Sequence, residues 1–129
     1  GLSGVLTRQC ELSDAIQQTD IQGLYVLPSG AIPPNPAELL DSNRMNQLLE
    51  TLKSQFDLII FDTPPILTVT DSQILSNKCD ATILVINSGK TEKEMAVKAK
   101  EMLTLSKANM IGVVLNNFTI EKNHYFYYQ

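Results

Sequence analysis

Four short apolar runs, each bounded by polar or turn-forming residues, divide the chain. They span residues 23–28, 57–62, 81–87 and 111–116. Each run has the length of a β-strand, and continuous apolar character is typical of strands that are buried on both faces of a sheet. The pattern therefore predicts four buried strands.

Stretches with helical periodicity lie between these runs. Asn35, Pro36 and Glu38 indicate a helix start, because Asn can cap the first turn, Pro can occupy it and Glu can reach back to the cap. The residues that follow form the apolar stripe of an amphipathic helix. Its members are Leu39, Leu40, Met45, Leu48, Leu49 and Leu52.

Two further helix starts lie in the second half of the chain. Thr91 and Glu94 have the spacing of a capping box. The helix that they open has an apolar side formed by Met95, Ala99, Met102 and Leu103. Asp71 predicts the cap of a shorter helix.

The alternation of strands and helices predicts the fold class. Strands that alternate with helices through short loops form parallel sheets with right-handed crossovers. We therefore predict an α/β fold with a doubly wound, mainly parallel sheet and helices on both faces. Residues 1–121 belong to this domain, or part of a domain, and residues 122–129 form a tail. Ligands of such sheets bind beyond the carboxyl ends of the strands, so the residues after each run are the candidates for a site.

Composition and charge narrow the functional classes. Hydrophobic residues make up 43% and charged residues 19%, as in soluble globular proteins. The formal net charge is −4 and the lysines are scattered, which argues against nucleic acid as the main partner. Cys10 and Cys79 match neither a metal spacing nor a disulfide framework, which indicates a reducing cytoplasm. The apolar runs are all shorter than the roughly 18 residues that cross a bilayer.

The run 57–62 ends in Asp62, which Thr63, Pro64 and Pro65 follow. An apolar strand that ends in a carboxylate has the form of a Walker B segment, in which a rigid strand aims the carboxylate at Mg²⁺ or its bound water beside a nucleotide phosphate. The alternative is that Asp62 caps the turn that the two prolines enforce. The pattern alone favours neither interpretation.

Residues 88–91 read Ser-Gly-Lys-Thr and lie between a predicted strand and a predicted helix, as a phosphate-binding loop does. That loop has the pattern G-x-x-x-x-G-K-[ST], and its first glycine would fall at Leu84, inside the strand. Without that glycine the backbone does not curl to point its N–H groups at a phosphate. We therefore interpret Gly89 as a turn residue and Thr91 as a cap.

Asn116 ends the last apolar run and presents an amide at a strand tip. Its side chain has the groups to hydrogen-bond a purine ring. The alternative, which the sequence without further context favours, is that Asn116 and Asn117 cap the loop that follows. His124 is the single histidine, and we assign it no catalytic role.

The C-terminal segment holds three of the four tyrosines, namely Tyr125, Tyr127 and Tyr128. A terminal aromatic cluster can be a docking tail or a substrate for phosphorylation, in which each phosphate adds roughly −1.5 to −2 charges. Composition alone slightly favours the docking tail.

Several segments occur in an order and spacing that cover essentially the whole chain. They are Gly1-Leu2-Ser3, residues 33–40, 61–65, 69–71, 89–91 and 114–116, and the terminal tyrosines. Together they resemble the bacterial tyrosine kinases that accompany capsular and exopolysaccharide synthesis. This combination is far more specific than any single motif.

The resemblance implies a fold related to the deviant P-loop ATPases of the chromosome-partitioning and cell-division-site type, with ATP and Mg²⁺ as cofactors. Asp62 would be the Walker B carboxylate, with a catalytic and metal-binding role. Asp71 would help to organise the metal through water, and Asn116 would face the adenine.

The resemblance also implies partners and a location. One subunit of a homo-oligomeric ring would present Tyr125, Tyr127 and Tyr128 to the active site of its neighbour for autophosphorylation. A membrane-embedded activator of the polysaccharide co-polymerase type and an opposing protein-tyrosine phosphatase would be the partners. The kinase would lie in the cytoplasm, at the inner face of the cell membrane, through its activator.

The chain also departs from the family pattern. The family places a Walker A loop and an acidic Walker A′ strand ahead of the segment that is here Gly1-Leu2-Ser3. We therefore expect this chain alone to be inactive, and its sheet to lack the phosphate-loop strand and to be weakened or rearranged. Two rival hypotheses are a partitioning-type ATPase switch, which has no use for the tyrosine tail, and a non-catalytic module that offers tyrosines to a kinase.

Overall fold

The structure, a computed structural model, describes residues 1–119 and divides the chain into two compact units. The first unit is Gly1–Asp62, and the second begins at Thr63. Each unit has its own buried apolar residues, so each is described by itself.

The first unit is mainly helical. It contains four helices and a short antiparallel pair of strands. The elements are α1 (Leu2–Leu6), α2 (Leu12–Ala15), β1 (Gln17–Gln18), β2 (Tyr25–Val26), α3 (Pro36–Leu40) and α4 (Asn43–Lys53).

Helix α4 supplies most of the core of the first unit. Its buried side chains are Met45, Leu48, Leu49 and Leu52, and Met45 is 0% exposed. The predicted apolar stripe is therefore confirmed, but it belongs to two helices and not to one. Helix α3 ends at its C-cap residue Asp41, and α4 begins with Ser42 as its N-cap residue. The Ser42 hydroxyl accepts a hydrogen bond from the Met45 N–H at 3.2 Å. A serine in this position satisfies one of the free N–H groups of the new helix.

The start of α3 follows the prediction in part. Asn35 is the N-cap residue and Pro36 occupies the first turn, as expected. The Asn35 side chain does not cap the described helix, because its Nδ2 donates to Glu38 Oε2 at 2.8 Å. Glu38 therefore reaches back to the side chain of the cap residue instead of its backbone.

Of the two strand predictions in the first unit, one is too long and the other is wrong. The run 23–28 contributes the two residues of β2, which pair in antiparallel fashion with β1. The run 57–62 forms no strand with any other part of the described residues 1–119. Leu58 and Ile60 on this run are 75% and 79% exposed. A strand is stabilised by hydrogen bonds to a neighbouring strand, and this run has no such neighbour within the described chain.

The second unit contains a parallel strand–helix–strand arrangement, as predicted. The elements are α5 (Asp71–Ser76), β3 (Thr82–Asn87), α6 (Lys93–Leu105) and β4 (Met110–Asn116). Strands β3 and β4 are parallel neighbours, and their register pairs Val85 with Val114 and Asn87 with Asn116. The connection through α6 is the crossover that parallel strands require.

One face of this β3–β4 sheet is packed and the other is open. The packed face meets a buried cluster of Ile66, Ala99 and Leu103, against which Leu84 and Met110 also pack. The open face carries Ile83, Val85 and its register partner Val114, which are between 48% and 61% exposed. The expectation that these strands are buried on both faces is therefore wrong for the described residues, because α6 covers one side.

The helix starts of the second unit differ from the predicted caps. Asp71 is the first residue of α5, and Thr70 holds the N-cap position. Helix α6 begins one residue later than expected, with Glu92 as its N-cap residue and no side-chain cap bond within the described residues. The Thr91 hydroxyl instead accepts a hydrogen bond from the Asn87 N–H at 3.1 Å, so the Thr91–Glu94 capping box is not formed.

Candidate functional site

A cluster of three asparagines lies at the carboxyl ends of β3 and β4. Asn87 and Asn116 are the last residues of the two strands and lie opposite each other in the register. Asn117 follows with a φ of 57°, in the left-handed region that asparagine tolerates better than most residues. In open parallel sheets this edge is where ligands bind. We call these three residues the amide cluster.

Hydrogen bonds join the members of the amide cluster. Asn117 Nδ2 donates to Asn87 Oδ1 at 3.0 Å, across the two strands. The Asn117 backbone N–H donates to Asn116 Oδ1, also at 3.0 Å. The predicted loop-capping role of Asn116 and Asn117 is therefore real, and it leaves the Asn116 side chain exposed at the strand tip.

The turn that follows β3 is built as the sequence predicted. Gly89 has a φ of 73°, a conformation that glycine adopts without strain. The N–H groups of Lys90 and Thr91 both donate to the Asn87 carbonyl, at 3.2 and 2.9 Å, and the Ser88 N–H donates to the Asn116 carbonyl. A phosphate-binding loop needs such N–H groups for the phosphate oxygens. These groups are already used, so the turn closes β3 and has no phosphate-loop geometry.

Asp62 is an exposed carboxylate at the end of the first unit. Asp71 and Asn116 belong to the second unit, where Asp71 is half-buried in the first turn of α5. That turn is fastened to the proline segment, since the buried Ser72 hydroxyl donates to the Pro64 carbonyl at 2.6 Å. Sequence reasoning missed Ser72, because a serine in a first helical turn is common and gives no sign of a distant partner.

The carboxylates of this chain suit a magnesium ion that takes most of its ligands from water and from nucleotide phosphates. Among residues 1–119 there is no group of three or more His, Cys, Asp or Glu side chains that could hold a metal. Mg²⁺ bound with a nucleotide usually takes one or two carboxylates, with water and phosphate oxygens completing an octahedron. A single exposed carboxylate such as Asp62 fits that chemistry.

Both cysteines are free thiols. Burial raises the pKa of the Cys79 thiol, and the neighbouring Asp80 carboxylate raises this pKa further. A thiol with a raised pKa contains less of the reactive thiolate at neutral pH. Cys79 is therefore better explained as a structural residue than as a reactive one.

The first unit contains an open cleft of about 810 Å³ that sequence reasoning did not anticipate. Tyr25 and Phe56 meet there edge to face, with ring centroids 5.3 Å apart. Its lining consists of Ser13, Ile16, Gln18, Gly23, Tyr25, Gln55, Phe56, Asp57 and Leu58. The cleft borders the exposed run 57–62 and includes none of the predicted site residues.

The helices that the structure describes are all too short or too polar to cross a membrane. The predicted phosphorylation sites Tyr125, Tyr127 and Tyr128 lie outside the described residues, as do His124 and the tail 122–129.

A parallel strand–helix–strand arrangement with polar side chains at its carboxyl edge is typical of nucleotide-binding α/β proteins. A family model described as an AAA domain matches residues 1–117. The chain belongs to this family.

Within the family, the chain is similar to bacterial tyrosine kinases. It is 48% identical over 129 residues to the tyrosine-protein kinase YwqD of Bacillus subtilis, covering 99% of this chain and 54% of YwqD. It is 43% identical over 125 residues to the tyrosine-protein kinase CpsD of Streptococcus pneumoniae, covering 97% of this chain and 55% of CpsD. The chain therefore spans about half the length of these relatives.

Solved structures agree with this assignment. A crystal structure of the chimerical protein CapA2B2 superposes with a TM-score of 0.89 at 40% identity, covering 93% of this chain and 53% of that one. The kinase domain of the Escherichia coli tyrosine kinase ETK gives 0.82 at 33% identity, covering 94% and 49%. The predicted α/β fold class and the predicted resemblance to bacterial tyrosine kinases are confirmed. The roles of Asp62, Asp71 and Asn116 remain predictions.

Proposed function

We propose that the protein to which this chain belongs is a tyrosine autokinase that transfers the γ-phosphate of ATP to tyrosine side chains. The observation that carries the proposal is the identity of 48% and 43% to two tyrosine kinases over nearly the whole chain. Because the chain spans about half of those relatives, the activity is proposed for the whole gene product.

The chain contributes a carboxylate and an amide to this reaction. Asp62 is exposed and free to act as a ligand of Mg²⁺, with Asp71 as a second acidic group that acts through water. Asn116 offers its exposed carboxamide to the adenine. ATP supplies the transferable phosphoryl group, and Mg²⁺ neutralises the charge that develops on its oxygens. The turn 88–91 has no part in phosphate binding in this proposal, since the N–H groups of Ser88, Lys90 and Thr91 are already bonded.

The phosphate acceptors in this proposal are Tyr125, Tyr127 and Tyr128. Each phosphorylation adds roughly −1.5 to −2 charges at neutral pH. On a chain whose formal net charge is already −4, several phosphates would repel a docked tail from acidic surfaces. Phosphorylation would in this way release the tail and change how the subunits associate.

The proposal extends to the cellular role through the family. It places the kinase in the cytoplasm, at the inner face of the membrane, held there by a membrane-embedded activator and opposed by a tyrosine phosphatase. The subunits form a homo-oligomeric ring, and the cycle of phosphorylation regulates capsular or exopolysaccharide synthesis and export. The support is the similarity to the kinases YwqD and CpsD and to the chimerical protein CapA2B2.

Phosphotyrosine formation by the longest product of the gene, incubated with Mg²⁺ and ATP, tests the proposal. Asp62→Asn should lower the rate at least about hundredfold, because charge stabilisation carries much of phosphoryl transfer. Asp57→Asn is the matched control, since it removes the same charge at the other end of the run 57–62. Equal rates for the two variants would contradict the proposal that Asp62 is a ligand of Mg²⁺.

Replacing Tyr125, Tyr127 and Tyr128 together by Phe separates the proposed kinase from its rivals. The autophosphorylation signal should disappear while ATP binding persists. A protein that hydrolyses ATP at an unchanged rate and forms no phosphotyrosine before or after the change is an ATPase switch. A gene product that binds no ATP and is phosphorylated by another kinase is an interaction module.

Calorimetric titration of the 129-residue chain itself with Mg²⁺ and ATP is the companion measurement. Binding by the longest gene product but not by this chain identifies the chain as an incomplete kinase domain. Micromolar binding by this chain would contradict the assignment of residues 88–91 to a simple turn.

A further inference from the structure

We propose that Asn87 and Asn117 determine the base specificity of the nucleotide site, by fixing the Asn116 carboxamide in the orientation that accepts adenine and rejects guanine. The inference rests on the proposed function, in which Asn116 contacts the base of ATP. It adds two positioning residues, neither of which needs to touch the nucleotide.

The orientation of the Asn116 side chain is fixed by the chemistry of its partner. A carboxamide has an oxygen that accepts hydrogen bonds and a nitrogen that donates them. The Asn117 backbone N–H, 3.0 Å from Asn116 Oδ1, can bond an acceptor and cannot bond an NH₂ group. A flipped carboxamide would lose this bond and set two donors against each other. Asn116 therefore presents its nitrogen and its oxygen in a defined order.

The position of the Asn117 N–H depends in turn on Asn87. Asn117 has a φ of 57°, which costs free energy for residues with a Cβ and is held here by the side-chain bond to Asn87 Oδ1 at 3.0 Å. Asn87 is itself well anchored, because its N–H donates to Thr91 Oγ1 and its carbonyl accepts from Lys90 and Thr91. The two strands are thus joined at their tips by one side-chain bond between residues 87 and 117.

A fixed carboxamide distinguishes the two purines. Asparagine pairs with adenine through two bonds, accepting from the N6 amino group and donating to N7. Oδ1 has two lone pairs, so it can accept from adenine N6 while it keeps the bond from Asn117. Guanine carries an oxygen at the same position, which would face Oδ1 and repel it. A flipped carboxamide gains nothing with guanine, because its oxygen would then face guanine N7, which is also an acceptor. The Asn117 N–H therefore acts by holding Asn116 in the one orientation that pairs with adenine.

Equilibrium binding of Mg²⁺–ATP and Mg²⁺–GTP to the longest gene product, measured by calorimetry, tests the inference. The wild type should prefer ATP. Asn87→Ala should lower the ratio of the two affinities about threefold to tenfold, as expected for one lost hydrogen bond. Asn87→Asp keeps an acceptor for Asn117 Nδ2 and should retain the preference. Asn117→Gly keeps the backbone N–H and permits the positive φ, and should lose as much as Asn87→Ala.

The double variant sharpens the test. Because both residues act through one bond, Asn87→Ala with Asn117→Gly should reduce the ratio no further than either change alone. A wild type without preference for ATP would overturn the inference, as would single variants that weaken both nucleotides equally and leave the ratio unchanged. A wild type that binds neither nucleotide overturns the proposed function, and this inference with it. Binding of ATP with an unaltered ratio in both variants overturns this inference alone.

Discussion

The run 57–62 of the first unit and the strands β3 and β4 of the second have similar apolar sequences in different surroundings. Strands β3 and β4 lie beside each other in parallel register, and α6 covers one of their faces. The run 57–62 has no strand beside it in the described chain, and its Leu58 and Ile60 are 75% and 79% exposed. Apolar composition gives a segment the capacity to form a strand, whereas a neighbouring strand decides whether the ladder of hydrogen bonds exists.

The cores of the two units differ for the same reason. In the first unit α4 buries its apolar stripe among helices, which satisfy their own backbone hydrogen bonds. In the second unit β3, α6 and β4 form a continuous segment, so the neighbour that each strand needs is supplied within about 35 residues. Helices and strand–helix–strand segments thus find their hydrogen-bond partners within one short stretch of sequence. A strand that needs neighbours on both edges depends on segments elsewhere.

The largest expected effect on stability comes from replacing one isoleucine in the packed cluster of the second unit and comparing it with one on the run 57–62. Ile66 is 8% exposed and packs in the cluster of the second unit, whereas Ile60 is 79% exposed on the run 57–62. Ile66→Ala should lower the free energy of unfolding of this chain by about 2–5 kcal/mol. Ile60→Ala should change it by less than about 0.5 kcal/mol. Urea denaturation measures both, and similar losses would contradict the difference in burial.

Hydrogen exchange gives a backbone measure of the same contrast. Between residues 1 and 119 the structure records no backbone hydrogen bond from the amides of Leu58 to Phe61, whereas the inner amides of β3 and β4 are in a parallel ladder. The ladder amides should exchange at least about hundredfold more slowly than those of the run, because exchange requires their bonds to open. Slow exchange at Leu58 and Ile60 would indicate a strand partner.

The two long helices differ in their N-terminal capping, and we expect this difference to change the free energy of unfolding by about 1 kcal/mol. Helix α4 has Ser42 at its N-cap with a bond from Met45, whereas α6 has Glu92 there without a cap bond among the described residues. Ser42→Ala should destabilise the chain by about 1 kcal/mol. Glu92→Ala should have a smaller effect, since no cap bond is removed. Thermal and urea unfolding compare the two, and equal losses would show that the Ser42 bond contributes nothing.

The smallest expected effect concerns pH and the Cys79 thiol of the second unit. Burial and Asp80 raise its pKa, so above the ordinary thiol pKa of about 8.5 the unfolded chain releases a proton that the folded chain keeps. The folded state then binds more protons, and stability falls as pH rises above about 8.5. Cys79→Ala should make the fall between neutral and alkaline pH shallower. An unchanged pH slope in Cys79→Ala would contradict this account.

Several features of the site could be predicted and others could not. The turn at Gly89 and the failure of residues 88–91 as a phosphate loop follow from glycine spacing, which is local. The capping role of Asn116 and Asn117 follows from the short polar side chains at a strand end. Ser72 escaped prediction because its partner Pro64 is eight residues away in a bent segment.

The helix caps show where local signals compete. Thr91 has the spacing of a capping box, but its hydroxyl accepts the Asn87 N–H at the end of β3 and the helix begins later, with Glu92 as the cap residue. Asn35 likewise occupies the predicted position while its side chain bonds Glu38. A side chain with several possible partners takes the one that the surrounding backbone places nearest, and the sequence does not record that choice.

The sequence by itself determined the family, the α/β class, the stripe that α4 buries and the parallel direction of the strands β3 and β4. These depend on the spacing of apolar residues and on the order of short motifs, which are properties of neighbouring positions. The tertiary structure decided that the run 57–62 is not a strand in the described chain, that β1 and β2 pair in antiparallel fashion, and that Asn87 holds Asn117. These depend on which segments the fold brings into contact, and the hydrogen bond from residue 117 to residue 87 exists because two strands end side by side.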